Sequence, residues 1–234
     1  NYANDYSDGI RGTDDDRVGP FRLTGSGAAR PATVKRAAII SLALGGLFGV
    51  VLVAVAQMWW ALVVGAAAIA AAWFYTGGRK PYGYLGLGEL FVFVFFGLVA
   101  VNGTALAITG RPSWAALLAS VAIGLLAVAL MLTNNLRDIP TDAVSGKRTL
   151  AVRLGERGTR LLYTTTLLAP FVLMVPVIIA HWPAALVLLA LPLAIGPVRK
   201  VLGGAKGRDL IPVLGATGRL ELVFSLLLLV GLVL

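Results

Sequence analysis

The length of the uncharged apolar segments is the feature that most constrains this chain. No Lys, Arg, Asp or Glu occurs between Arg36 and Arg79, a gap long enough for two passes through a bilayer. A membrane-crossing helix needs about 20 consecutive apolar residues to span roughly 30 Å of hydrocarbon. Charged residues make up only 13% of the chain, about half the share that soluble domains carry. These segments exclude a water-soluble globule and predict an all-α, polytopic transmembrane helical bundle.

Seven stretches have the required length and predict seven spans. They lie near residues 34–56, 58–76, 89–110, 113–135, 161–181, 183–198 and 217–234. The sixth stretch is interrupted by Pro183, Pro192 and Pro197. Because the chain begins inside a polar motif and without Met, we expect a single transmembrane domain over residues 1–234. We expect it to be truncated at its N-terminus and to open with the end of a preceding helix.

The distribution of basic residues predicts the orientation in the membrane. The formal net charge is +9, and when the segment before the first span is placed in the cytoplasm, only Arg111 of the 20 Lys and Arg falls on the far side. Such an asymmetry is typical of membrane topology and not of a nucleic-acid-binding surface. We therefore predict a multi-pass protein of the cell membrane with cytoplasmic active-site loops and no nucleic-acid partner.

The residue types that remain for chemistry are mainly carboxylates. The chain has no cysteine and one histidine, His181, which excludes thiolate nucleophiles and metal centres built from Cys or several His. All 11 acidic residues fall on the predicted cytoplasmic side. That side is therefore where we expect function.

Two polar segments, over residues 4–17 and 134–149, share one Asn/Asp pattern. Aligned, they pair Asn4 with Asn134, Asp5 with Asn135 and Asp8 with Asp138, and they set Gly12 opposite Asp142. Residues three or four apart share a helix face, and like charges at that spacing call for a cation. Hard oxygen ligands favour Mg²⁺, which often takes further oxygens from a phosphate. The pattern predicts magnesium-assisted departure of a diphosphate, and basic residues close in sequence could neutralise the remaining charge: Arg11, Arg137, Lys147 and Arg148.

These motifs, together with the stretch over residues 75–84 (YTGGRKPYGY), resemble the UbiA superfamily of intramembrane prenyltransferases. The resemblance covers nearly the whole chain. The segment from Asn4 to Pro20 is most similar to the members that prenylate 1,4-dihydroxy-2-naphthoate in menaquinone synthesis.

The resemblance implies a mechanism, a cofactor and partners. Mg²⁺ would join the motif carboxylates to the diphosphate of a polyprenyl donor, and a ring carbon of an aromatic acid would capture the allylic group, with loss of CO₂ from dihydroxynaphthoate. The lipid bilayer would be the surroundings. The implied catalytic and metal residues are Asp5, Asp8, Asp138 and Asp142. The implied substrate-binding residues are Asn4, Asn134, Asn135, Lys80, Arg137 and Lys147.

The chain departs from the family pattern at two positions. The family carries an aspartate where this chain has Gly12, and often one where it has Asn135. Asp14, Asp15 or Asp16 could replace the aspartate missing at Gly12.

Three other functions stay open from the sequence. A relative could use another aromatic acceptor, hydroxybenzoate or homogentisate. A CDP-alcohol phosphatidyltransferase shares the opening at Asp5–Gly9, but its motif continues with Ala-Arg and two more spaced aspartates, which are absent here. A secondary transporter would carry ionisable residues deep in its spans, and these spans are nearly free of charge.

Overall fold

The computed structural model describes residues 1–13, 19 and 21–234, and these residues form helices joined by turns, without a β-strand among them. The α-helices are α1 (Tyr2–Gly9), α2 (Pro31–Ala56), α3 (Ala61–Phe74), α4 (Gly88–Val92), α5 (Ala100–Thr109), α6 (Trp114–Val144), α7 (Leu150–Leu173), α8 (Val175–Ala180), α9 (Pro192–Leu202) and α10 (Ile211–Val233). A π-helical stretch covers Phe93–Val99, and 3₁₀ helices cover Tyr82–Leu85, Trp182–Ala190 and Gly207–Leu210. The predicted all-α class is confirmed.

Six helical stretches in the described residues are long and apolar enough to cross a membrane. They are Pro31–Ala56, Gly88–Thr109, Trp114–Val144, Leu150–Ala180, Trp182–Leu202 and Gly207–Val233. Each contains most or all of one predicted span. The chain is thus a multi-pass membrane protein.

The predicted span at 58–76 was too long. The helix there, α3, has only 14 residues, which at 1.5 Å per residue is about 21 Å and falls short of the roughly 30 Å of hydrocarbon. Trp59 and Trp60 form a turn before α3, and after the helix Gly78 adopts a positive φ of 80°. These two turns shorten the helix from both ends.

The ends of the long helices follow from local sequence. Pro31 is the first residue of α2 and follows an extended Arg30, because proline has no N–H to leave unpaired there. Gly110 ends α5 with φ of 67°, a left-handed conformation that glycine adopts at little cost. The prolines of the sixth span divide it into a 3₁₀ helix, Trp182–Ala190, and α9.

The described residues group into two compact units. The first unit comprises Asn1–Gly88 with Pro140–Thr149, and the second comprises Glu89–Ile139 with Leu150–Leu234. In the first unit α1 packs against α2 and α3. The second unit holds a continuous apolar core around Leu132, Tyr163 and Phe224.

Candidate functional site

One carboxylate from each motif faces the same lysine in the first unit. Lys147 Nζ lies 3.8 Å from Asp8 Oδ2 and 3.8 Å from Asp142 Oδ1. Both aspartates are 4% exposed, so water screens their negative charges only weakly. Asp8 is on α1 and Asp142 on α6, whereas Lys147 follows the end of α6. The structure thus brings a first-motif and a second-motif aspartate to a single cation.

Tyr84, in the 3₁₀ helix after the glycine-rich stretch, orients Asp8. Its hydroxyl donates a 2.9 Å hydrogen bond to Asp8 Oδ1 and lies 3.1 Å from Thr13 Oγ1. Burial, then the negative charge of Asp8, raises the pKa of Tyr84 to about 12. The phenol is therefore a proton donor to the carboxylate at physiological pH.

The ring of Tyr84 also contacts two cations. The Arg11 guanidinium carbon and Lys147 Nζ each lie 5.4 Å from its centroid, within the range of a cation–π interaction. In addition, the Arg148 backbone N–H donates a 3.1 Å hydrogen bond to the Tyr84 carbonyl. Tyr84 consequently ties the residues after α6 to α1.

Asp5 holds a loop of the first unit. Its two carboxylate oxygens accept 2.8 Å hydrogen bonds from the backbone N–H groups of Leu23 and Thr24. Burial by itself would raise the pKa of Asp5, but these N–H donors and the charge of Arg22 outweigh it, and the pKa lies below its usual value. Asp5 therefore fixes the segment that leads into α2.

The residues that follow α3 form hydrogen bonds with α1 and with the turn after it. Thr76 Oγ1 donates a 3.1 Å hydrogen bond to Asn4 Oδ1, and the Arg11 guanidinium donates to the carbonyls of Thr76 and Gly78. Asp5 binds the segment that precedes α2, and Arg11 binds the residues that follow α3. Both termini of the α2–α3 hairpin therefore adjoin α1. The fold thereby places the glycine-rich stretch beside the first motif.

The glycine that departs from the family pattern has a conformational role. Gly12, in the turn that follows α1, adopts φ of 72°, where a residue with a Cβ is disfavoured. Asp14, Asp15 and Asp16, the predicted substitutes for the missing aspartate, lie outside the described residues.

The predicted residues of the second unit have close partners of their own. Arg137 Nε and Nη2 donate hydrogen bonds of 2.7 and 2.8 Å to the two carboxylate oxygens of Asp138, a bidentate ion pair. Asn135 Nδ2 donates a 2.8 Å hydrogen bond to Glu89 Oε1. Asn134 is half-buried on α6, and Lys80, in the first unit, is exposed.

The donor set of the first unit suits a hard divalent cation. Asp8 and Asp142 present buried carboxylate oxygens toward one positive group, and carboxylates are the protein ligands that Mg²⁺ prefers. Three or more Asp, Glu or His side chains do not group as a metal site anywhere in the described ranges. A metal held here would thus use these two side chains and take further oxygens from a diphosphate or water.

Sequence reasoning missed two features of these sites. It had no signal for the Tyr84 bond to Asp8, since the two residues are far apart in the chain and only the Tyr-Gly-Tyr pattern marked the stretch. It also gave no role to Glu89, which stands at the edge of an apolar run. An isolated carboxylate at the start of a predicted span is the signal that could have found it.

Comparisons with known proteins show the family of the chain. The model of the UbiA prenyltransferase family matches residues 1–209. The chain is 54% identical over 226 residues to a 1,4-dihydroxy-2-naphthoate octaprenyltransferase of Mycobacterium tuberculosis, covering 97% of this chain and 77% of that protein. It is 40% identical to the Escherichia coli protein of the same name, covering 99% and 78%. A UbiA prenyltransferase domain-containing protein 1 homolog of Drosophila melanogaster is 29% identical, over 73% and 48%. With its two Asp motifs on membrane-protein helices and a family match over most of its length, the chain belongs to the UbiA prenyltransferase family.

Proposed function

We propose that this protein transfers a polyprenyl group from polyprenyl diphosphate to 1,4-dihydroxy-2-naphthoate, with loss of CO₂, in a Mg²⁺-dependent reaction. The observation that carries the proposal is the convergence of Asp8 and Asp142, one from each motif, on Lys147. The acceptor is supported by relatives that bear this substrate in their names and share 54% and 40% identity with the chain.

We propose Asp8 and Asp142 as the metal ligands that the described contacts favour most. When bound, the metal supplies positive charge to the departing diphosphate. Asp5 already accepts two backbone hydrogen bonds, so for Asp5 we propose a positioning role. Asp138 and Arg137 pair with each other, and a role toward metal or diphosphate requires that this pair opens.

The chain's own residues account for the rest of the proposed reaction. Lys147 and Arg11 supply positive charge beside the motif carboxylates, and Tyr84 keeps Asp8 oriented through its hydroxyl. The carbon–oxygen bond of the donor breaks with its electron pair going to the diphosphate. The ring carbon that bears the carboxylate forms the new carbon–carbon bond with the allylic carbon. Its bond to the carboxylate then breaks, which releases CO₂ and returns the electron pair to the aromatic ring.

We further propose that these loops face the cytoplasm, at the cell membrane. The support is the count of basic residues, since all Lys and Arg except Arg111 belong to one predicted side. The hairpin of α2 and α3, whose two ends adjoin α1, is consistent with that placement.

The test is a transfer assay with purified protein in lipid nanodiscs. Radiolabelled polyprenyl diphosphate is offered with dihydroxynaphthoate, hydroxybenzoate or homogentisate, and CO₂ release is followed from carboxyl-labelled acceptor. We expect Asp8→Asn and Asp142→Asn each to lower turnover by roughly 10²–10³-fold, as loss of a transition-state charge contact does.

Asp209→Asn is the matched control, because Asp209 is an exposed aspartate in the 3₁₀ helix Gly207–Leu210 and should retain wild-type turnover. Wild-type turnover in both motif variants would reject the site. Preference for hydroxybenzoate or homogentisate would reject the acceptor assignment.

A further inference from the structure

Glu89 carries a buried carboxylate oxygen that its surroundings leave without a hydrogen bond. The residue is 5% exposed and lies in the first turn of α4, where a membrane-crossing stretch begins. Its Oε1 accepts the 2.8 Å hydrogen bond from Asn135 Nδ2. Within the described residues, Oε2 is buried and has no hydrogen-bond partner. A carboxylate oxygen in that condition costs folding free energy, so its retention calls for an explanation.

The helix that follows Glu89 is aromatic and unusual in geometry. Phe91 and Phe95 stack with ring centroids 6.0 Å apart, and Phe93–Val99 is π-helical. Such stretches are rare and occur frequently at functional sites. A Cβ at Gly97 would lie 2.6 Å from the Cα of Gly124, so backbone contact fixes this helix against α6. Glu89 is therefore set at the start of a rigid, aromatic-rich helix.

The chemistry of Glu89 Oε2 defines which groups could bind it. A carboxylate oxygen accepts hydrogen bonds, so its partner must present an O–H or N–H. Of the two substrates of the proposed function, dihydroxynaphthoate carries hydroxyl groups, which are donors of this kind. A diphosphate is excluded as the partner because it would bring negative charge against the carboxylate.

We infer that Glu89 is an acceptor-recognition residue whose Oε2 accepts a hydrogen bond from a hydroxyl group of the dihydroxynaphthoate ring. This inference rests on the proposed function and deepens it. Asn135, which was predicted to bind substrate directly, acts through Glu89 by holding Oε1 and leaving Oε2 available. A hydroxyl bonded to a carboxylate donates more electron density to its ring, which favours attack on an allylic carbon.

Glu89→Gln separates this role from a structural one. Glutamine has the same size, and its amide oxygen can still accept the bond from Asn135 Nδ2, so a purely structural tie between α4 and α6 survives. The amide nitrogen of the glutamine then takes the place of Oε2. Its N–H₂ group is a hydrogen-bond donor and would face the O–H donor of dihydroxynaphthoate. We expect kcat/KM for dihydroxynaphthoate to fall by about 10–100-fold, the factor given by a hydrogen bond to a charged group, while KM for the polyprenyl donor stays unchanged.

Glu221→Gln is the matched control, because Glu221 is also a carboxylate within an apolar membrane helix, α10. We expect its acceptor kinetics to match the wild type. Direct binding of dihydroxynaphthoate to nanodisc-embedded protein, measured by titration without donor, should weaken by the same factor in the Glu89 variant and not in the control.

A second arm uses only the wild-type protein and covers the case in which Glu89→Gln fails to fold. The two monomethyl ethers of dihydroxynaphthoate each replace one hydroxyl hydrogen by a methyl group. We expect one ether to bind about 10–100-fold more weakly than the parent and the other to bind closer to it.

Equal binding of both ethers and the parent would overturn the inference, as would an unchanged acceptor affinity in folded Glu89→Gln. These outcomes differ from failure of the proposed function. In that case the wild-type protein would bind dihydroxynaphthoate without prenylating it, and the titrations would still decide the role of Glu89.

Discussion

Replacing Lys147 by methionine tests whether its ammonium stands where a divalent cation would bind. The change keeps the length of the side chain and removes its charge. Each of the two 3.8 Å contacts, to Asp8 and Asp142, is worth about 4 kcal/mol at an effective dielectric constant near 20, but desolvation offsets much of that. Removing one partner of a buried ion pair costs about 3–5 kcal/mol. Because both distances exceed hydrogen-bond length, we expect a loss of about 3 kcal/mol, at the low end of that range.

The assay is thermal unfolding in detergent, with and without millimolar Mg²⁺ and in the absence of substrates. A ligand that binds the folded state stabilises it by RT ln(1 + [L]/Kd), so tighter binding at a given concentration raises the Tm further. In the wild type, Mg²⁺ must displace the lysine ammonium from Asp8 and Asp142, whereas Lys147→Met has no ammonium to displace. We therefore expect Mg²⁺ to raise the Tm of the variant more than that of the wild type.

Lys206→Met provides the comparison. Lys206 forms a 2.7 Å ion pair with Glu156, but the lysine side chain is 69% exposed, and such pairs contribute about 0–1 kcal/mol. Its Tm should change little and its response to Mg²⁺ should equal that of the wild type. If Lys147→Met responds to Mg²⁺ no more than Lys206→Met does, the carboxylate pair is not a cation site and the reasoning fails.

Three further variants probe other contacts. Tyr84→Phe removes the hydroxyl bond to Asp8 and should cost about 1.5–3 kcal/mol. Because the pKa of Tyr84 is raised from 10 to about 12, its contribution to the free energy of unfolding is complete below pH 10 and is lost between pH 10 and about 12. The Tm of Tyr84→Phe should therefore fall less than that of the wild type over this pH range. Asp5→Asn should loosen the loop at Leu23–Thr24, seen as faster proteolysis there, and because its pKa is lowered, the wild-type contribution should vanish as the pH drops below 3.8. Gly97→Ala forces a Cβ against the Gly124 backbone and should cost about 1–3 kcal/mol in detergent melting, whereas Gly103→Ala, with open space around it, should not.

The membrane helices could be predicted from the sequence because each depends on a local run of apolar residues. Runs of apolar residues gave α2, α5 with its preceding π-helical stretch, and α10 to within a few residues at most ends. The second helix of the hairpin was overestimated because hydropathy does not register turns: Trp59 and Gly78 lie inside or beside an apolar run, yet the backbone bends at both places.

The site could be predicted only in part, because its contacts join segments that are far apart in the chain. Spacing within a motif shows which residues share a helix face, so Asp5 with Asp8, and Asp138 with Asp142, could be named as acidic pairs. The meeting of Asp8 and Asp142 on Lys147, and the bond from Tyr84, depend on tertiary packing between such segments. Asp5 accepts hydrogen bonds from the loop at Leu23 and Thr24, a contact that spacing within the motif could not show.

The π-helical stretch Phe93–Val99 has a consequence for sequence register along its membrane helix. A regular α-helix turns by about 100° per residue, and one wide turn behaves like a single inserted residue. A 3.6-residue periodicity that runs through the stretch therefore assigns side chains before and after it to the wrong relative faces of the helix. Deleting one residue within the stretch should therefore restore regular α-helical winding and leave Asn102 facing Ser120, to which its amide donates a 2.7 Å hydrogen bond.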